Sequence, residues 1–179
     1  MRSTRTLWTG LSRVAAALAM SSALSATVTR AQPGGLIEYR NQRYGFAISI
    51  PADVFRQGET RNAEVGNLWV SHDGQARVIA GAQGNDGGES MQAYRKYVMD
   101  TTYAGASYDY TPMRESWFVL SGRKDGQMFY ERVTFACGGR YIYGWQMTYP
   151  TTDRRRWDRI VEHIHRSYRP GRGEDGNCG

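Results

Sequence analysis

The chain is poor in the residues that most chemistry needs. Among 179 residues there are three histidines and two cysteines. His163 and His165 stand two apart, so on a helix they diverge and cannot share one metal, and no His-based zinc spacing occurs. His72 lies beside Asp73, but no Gly-x-Ser-x-Gly elbow supplies a nucleophile for it, and a solvated turn histidine is expected. The glycine-rich stretch 81–88 lacks the Lys-Ser/Thr step that reaches phosphate and magnesium. Asn85, Asp86 and Glu89 do not have EF-hand spacing, with no glutamate at the twelfth position. No catalytic residue, metal site or cofactor is therefore expected. A long apolar run is missing too: the unbroken stretch 14–20 falls short of the about 20 residues that cross a bilayer.

Acidic residues are absent before Glu38. Arg2, Arg5 and Arg13 give a basic start, an apolar run follows, and Thr29-Arg30-Ala31 places small residues at −3 and −1 before Gln32. That order is the layout of a secretory signal peptide over residues 1–31, and a periplasmic or secreted protein is expected. Removing 31 of 179 residues leaves 148, a normal size for one domain. Four of the 23 basic residues (Arg2, Arg5, Arg13, Arg30) and none of the 17 acidic ones go with it, so 19 stand against 17, a net charge of +2. The remaining basic cluster, Arg154-Arg155-Arg156, is too short to track a phosphate backbone, and nucleic acid is not an expected partner.

An even pair of cysteines, Cys137 and Cys178, in an exported chain reads as a disulfide. Cys178 lies in a polar tail, 171–179, with no hydrophobic residue besides the cysteine itself, and a staple explains its presence. The competing reading is a nucleophilic Cys137 beside Gly138-Gly139, which would need a reduced thiol and a positioned base.

Residues 32–38 read as a flexible Gly/Pro-bearing leader, and 39–170 as one domain. Alternating runs predict antiparallel strands: 46–50 up to Pro51, 68–71 and 77–80 around Asp73-Gly74, 117–121 and 127–135 around Asp125-Gly126, then 141–149 up to Pro150. Met91, Tyr94 and Val98 fit one helix face behind a Ser90 cap. Trp157, Ile160, Val161, Ile164 and Tyr168 make a continuous stripe on a terminal helix that Asp153 could cap. Hairpin-length connections favour an antiparallel sheet packed by helices, an α+β domain.

On the last strand Tyr141, Tyr143, Trp145, Met147 and Tyr149 share one face. They either line a ligand groove or receive the terminal helix; the second reading accounts for both stripes at once and is preferred. If exposed, Tyr141, Tyr143 and Trp145 form a candidate binding surface, with Asn85 and Asp86 of the glycine-rich loop as a second.

The succession of landmarks resembles the PsbP/Mog-like superfamily. Residues 44–51 (YGFAISIP) are similar to its opening hairpin, 117–122 with 129–132 to its central strands, and Tyr149-Pro150 with 157–161 and 167–170 to its ending. The resemblance spans about residues 39–170. It implies an α/β/α sandwich around a central antiparallel sheet, serving as a binding or accessory domain rather than an enzyme. Functions in that superfamily range from photosystem assembly to binding a small GTPase, and no functional position carries over residue by residue. The expected function is an exported, non-catalytic binding or accessory module of the bacterial envelope with a protein or glycan partner and no membrane anchor. The alternative is a small ligand-carrying or hydrolase-like domain around an enclosed pocket.

Overall fold

The structure, a computed structural model, describes residues 30–32 and 35–178. The expected signal peptide falls outside the described residues except for its last two. A first, three-stranded antiparallel sheet contains β1 (Arg30–Gln32), β2 (Leu36–Arg40) and β3 (Ala47–Pro51). The leader expected over 32–38 thus gives way to a strand from Leu36. Ile37 and Tyr39 alternate into the core and hold this segment by burial.

The second sheet has seven strands. In chain order they are β4 (Phe55–Gln57), β5 (Gly66–Ser71), β6 (Arg77–Gly84), β7 (Ser107–Tyr110), β8 (Trp117–Lys124), β9 (Gln127–Ala136) and β10 (Tyr141–Pro150). They lie side by side as β4-β5-β6-β10-β9-β8-β7, antiparallel throughout. The β8–β9 turn places Asp125 at φ 50° and Gly126 at φ 78°, the positive-φ pair that a two-residue hairpin requires. Helix α1 (Met91–Thr101) joins β6 to β7, and Ser90 caps it by accepting from the Ala93 amide. Helix α2 (Arg154–Ser167) follows β10.

Alternation along β10 decides the layers. Tyr143, Trp145, Met147 and Tyr149 are all buried on the inner face, where they meet Trp157, Ile160, Val161 and Ile164 of α2 and the apolar side of β2 and β3. Each such side chain contributes roughly 1.5–3 kcal/mol on full burial, so this face is the main core. On the outer face α1 lays Met91 and Val98 over Phe118 and Leu120 of β8, Phe129 and Val133 of β9 and Ile142 of β10. The result is an α+β sandwich with a helix on each side of the long sheet.

The start of α2 departs from expectation. Asp153 occupies the cap position but is left-handed (φ 52°), and its side chain makes no capping hydrogen bond. Arg154 at the positive helix end is offset by Asp158 (3.4 Å) and by Asp109 of β7 (3.6 Å), and Arg156 lies 4.8 Å over the Trp157 ring.

The polar tail is packed rather than pendant. Arg169 bridges Ala47 of β3 through both backbone hydrogen bonds, each 2.9 Å. Gly171 passes so close to the Tyr44 carbonyl that an added Cβ would sit 1.8 Å from its oxygen. The Gly173 amide donates to the Tyr143 hydroxyl (2.8 Å), which donates to the Tyr44 carbonyl (3.3 Å). Cys178 then closes on Cys137 with a Cα separation of 5.0 Å, within the usual disulfide range. The tail therefore shares in the core, contrary to its composition.

Candidate functional site

Helix α1 covers β8, β9 and Ile142 of β10 on the outer face and leaves β5, β6 and the Gly144–Gln146 stretch of β10 open. What lies there follows from register. Gly66 pairs with Gly81, and Gly81 with Gly144, so three glycines form one row across three neighbouring strands. The two outer ones have different causes. A Cβ on Gly66 would meet the Ala80 carbonyl oxygen at 2.4 Å, so close strand approach demands glycine there. A Cβ on Gly144 would find nothing nearer than 3.5 Å, and its missing side chain simply leaves space. Beside that row Ile79 pairs with Gln146 and Gln146 with Glu131, which places these three side chains on the same face.

The space is a concavity of about 550 Å³, open to solvent on one side. Leu68, Ile79, Val133 and Ile142 supply apolar floor and walls, Tyr94 of α1 one flank, and the 59–62 segment the opposite rim. Its volume lies within the range of about 300–1,000 Å³ typical of ligand sites.

Glu131 is the singular group in it. Phe129, Glu131, Val133 and Phe135 alternate along β9 toward the outer face, so a carboxylate stands where the neighbouring positions are apolar. Its Oε2 is shut off from solvent and has no hydrogen-bond partner, and the neighbouring Tyr103 hydroxyl opposes the effect of burial on its carboxyl. None of the ion pairs among the described residues includes Glu131. Burial pushes its carboxyl up to about 7, against the opposing effect of the Tyr103 hydrogen bond. The same hydroxyl lies 3.3 Å from Gln146 Oε1, and its own pKa is raised by burial and by Glu131. Tyr94 is raised for the same two reasons, burial first. The arrangement holds the Glu131 carboxylate among neutral phenols and amides, with Glu59 and Arg61 on its rim. That is enough to recognise a hydrogen-bond donor.

The residues picked out from sequence lie elsewhere. Tyr143 and Trp145 are fully buried on the inner face, and Tyr141 packs against the same core, so the aromatic strand offers no binding surface there. The reason is α2, whose stripe needs that face for its own burial. Asn85 is consumed internally: its amide donates to the Glu89 carbonyl (2.9 Å) and the Gly139 carbonyl (2.8 Å), and its oxygen accepts from the Glu89 amide (3.0 Å). It clasps the β6–α1 loop to the β9–β10 turn, and Asp86 stays exposed beside Gly84. Part of the loop expected over 81–88 is strand, since β6 runs to Gly84. His72 donates from Nε2 to the Ala52 carbonyl (3.1 Å). His165 is held between Tyr130 (2.8 Å at Nδ1) and Arg132 (3.1 Å at Nε2). A guanidinium only donates, so Nε2 accepts and Nδ1 carries the proton. Cys137 is bonded, which removes it as a nucleophile. Sequence reading missed Glu131, Tyr103 and Gln146; the legible signal was a glutamate on the apolar alternation of β9.

No protein-family model and no curated protein matches the chain. Solved structures do. The solution structure of the cyanobacterial PsbP protein CyanoP from Synechocystis sp. PCC 6803 aligns with a TM-score of 0.59 and 11% identity, covering 78% of this chain and 94% of its own. A Mog1 mutant aligns at 0.49 and 11% identity, over 75% and 95% of the two chains. The Saccharomyces cerevisiae Ran-binding protein Mog1p aligns at 0.44 and 12%, over 70% and 89%. Identities this low speak for architecture alone. The chain has a fold like that of the cyanobacterial PsbP structure.

Proposed function

We propose that this chain is an exported, non-catalytic binding module of the bacterial envelope, and that it engages its ligand or partner through the concavity on the outer sheet face. The observation that carries this reading is Glu131, a carboxylate with a sealed, partnerless oxygen in a preformed hollow. Buried polar atoms are as a rule satisfied, and such exceptions gather at functional sites. Export rests on the signal-like order of residues 1–31 and agrees with a bonded cysteine pair. Among the described residues no helix is long and apolar enough to cross a membrane. The size of the hollow also favours the ligand-carrying half of the alternative reading. Its open side departs from the enclosed pocket that reading called for.

Two measurements test the proposal. N-terminal sequencing of the protein recovered from its native host should begin at Gln32; a product starting at Met1 contradicts export. Amide spectra of the labelled protein should shift at Gly81, Gly144 and Gln146 when envelope extract is added. Gly144→Phe, which fills the hollow, should abolish the shifts. Shifts confined to other faces, or none, overturn the assignment of the site.

A further inference from the structure

Resting on that reading of the hollow as a binding site, we infer that it recognises a primary alkylammonium group, with the ammonium on the Glu131 carboxylate and its methylenes along the glycine row. The ligand must supply what the site lacks. A carboxylate removed from water and left without a cation is costly, and no ion pair among the described residues supplies one. A hydroxyl ligand would give the carboxylate a hydrogen bond but leave the charge uncompensated. A guanidinium fork needs both carboxylate oxygens within reach, and Oε2 is shut off from solvent. A compact ammonium needs only one. The floor suits its stem: Gly81 and Gly144 present no side chain, while Leu68, Ile79 and Ile142 give apolar flanks. Tyr94 adds an aromatic wall beside the charge.

The electrostatic surroundings reinforce the choice. From α1, the α1–β7 connection and β7, the groups that interact with Glu131 are Tyr94, Tyr103 and Tyr108, all held neutral by raised pKa values. Gln146 faces it from β10, and Leu120 pairs with it from β8. Arg95 of α1 donates instead to the Thr111 carbonyl (3.3 Å), and Glu59 and Arg61 stand on the rim with opposite charges. Binding an ammonium requires the ionised carboxylate. Below about pH 7, where Glu131 carries a proton, each binding event must release that proton to solvent.

The test titrates the full purified protein with n-butylammonium and its neutral counterpart n-butanol, following the Gly81, Gly144 and Gln146 amides. Butylammonium should give saturable shifts at pH 8. Its apparent Kd should rise about ten-fold per pH unit below pH 7, the slope of one linked proton. Glu131→Gln should lose at least about ten-fold in affinity, since it removes a charged partner, and should lose the pH slope as well. Gly144→Phe should block binding while keeping the remaining spectrum. Cadaverine and N-acetyl-lysine methylamide separate the two sources of such a group, a free amine and a lysyl side chain, by which binds more tightly. Equal binding of butanol and butylammonium, retained affinity in Glu131→Gln, or no saturable shift with any amine overturns the inference. Where envelope extract still moves the same amides, the binding-module reading survives that failure; where it does not, both fall.

Discussion

Replacing Glu131 with glutamine should make the protein more stable at neutral pH. The substitution keeps the shape of the side chain and removes only the capacity to ionise. The folded carboxyl titrates near 7 against a reference of 4.5, so the folded state binds the proton more tightly than the unfolded state. The sign follows from linkage: the advantage of the folded state is fully present below 4.5 and is lost as pH rises through about 7. The loss is bounded by the gap between 4.5 and about 7, at about 1.4 kcal/mol for each pH unit, or about 3 kcal/mol. For a domain of this size 1 kcal/mol moves Tm by roughly 2–4 °C, so the variant should melt up to about 6–12 °C above the parent at pH 8. At pH 4 the two should coincide. Thermal melts and urea titrations of both proteins at half-unit steps from pH 4 to 8 provide the curve. Superimposable curves at every pH would show that the carboxylate is solvated or paired. A glutamine variant less stable throughout would show that the charge holds the fold together. A residue that costs stability and is nonetheless present is what a functional site displays.

Cys178→Ser should preserve the fold but lower Tm, since closing a 41-residue loop is worth up to about 4 kcal/mol in the chain-entropy model; two thiols reacting in the unfolded, unreduced parent would contradict the bond. His165 has its pKa lowered by burial and then by Arg132 and Arg166, so its contribution is present above the unfolded value of 6.5 and is lost as pH falls through it toward the folded pKa. Stability profiles of His165→Gln should lack this acid-side decline, which runs opposite to the Glu131 effect; an unchanged profile refutes the assignment. Gly171→Ala should cost several kcal/mol, of order 3 or more, because its Cβ would overlap the Tyr44 carbonyl oxygen at 1.8 Å; a denaturation midpoint equal to the parent's would mean the tail does not pack there.

Local signals carried most of the architecture. Asp73-Gly74 and Asp125-Gly126 mark their hairpins because positive-φ turns restrict composition, and the stripes on α1 and α2 are set by a period that needs no knowledge of partners. The Cys137–Cys178 pair followed from count and compartment. What escaped depends on neighbours distant in sequence. The glycine row across Gly66, Gly81 and Gly144 exists only once β10 inserts between β6 and β9, an order that no local pattern encodes. Asp153 satisfies the composition of a cap, yet its left-handed backbone turns the side chain away from the helix amides. Tyr143 and Trp145 had two partners available, ligand or helix, and alternation alone does not choose. Glu131 was visible as a polar residue on an apolar face, but only the register of β8, β9 and β10 encloses its oxygen.

The bridge between Ala47 and Arg169 ties the two halves of the domain together. The Ser49 amide donates to the Ser167 hydroxyl, 118 residues away, and β3 takes its second backbone partner from Arg169. The outer edge of the β2–β3 hairpin is thus filled by the segment that leaves α2, so the hairpin is complete only when that helix is docked. Contacts of such long sequence separation are slow to form, and fraying at the end of α2 would bare the β3 edge.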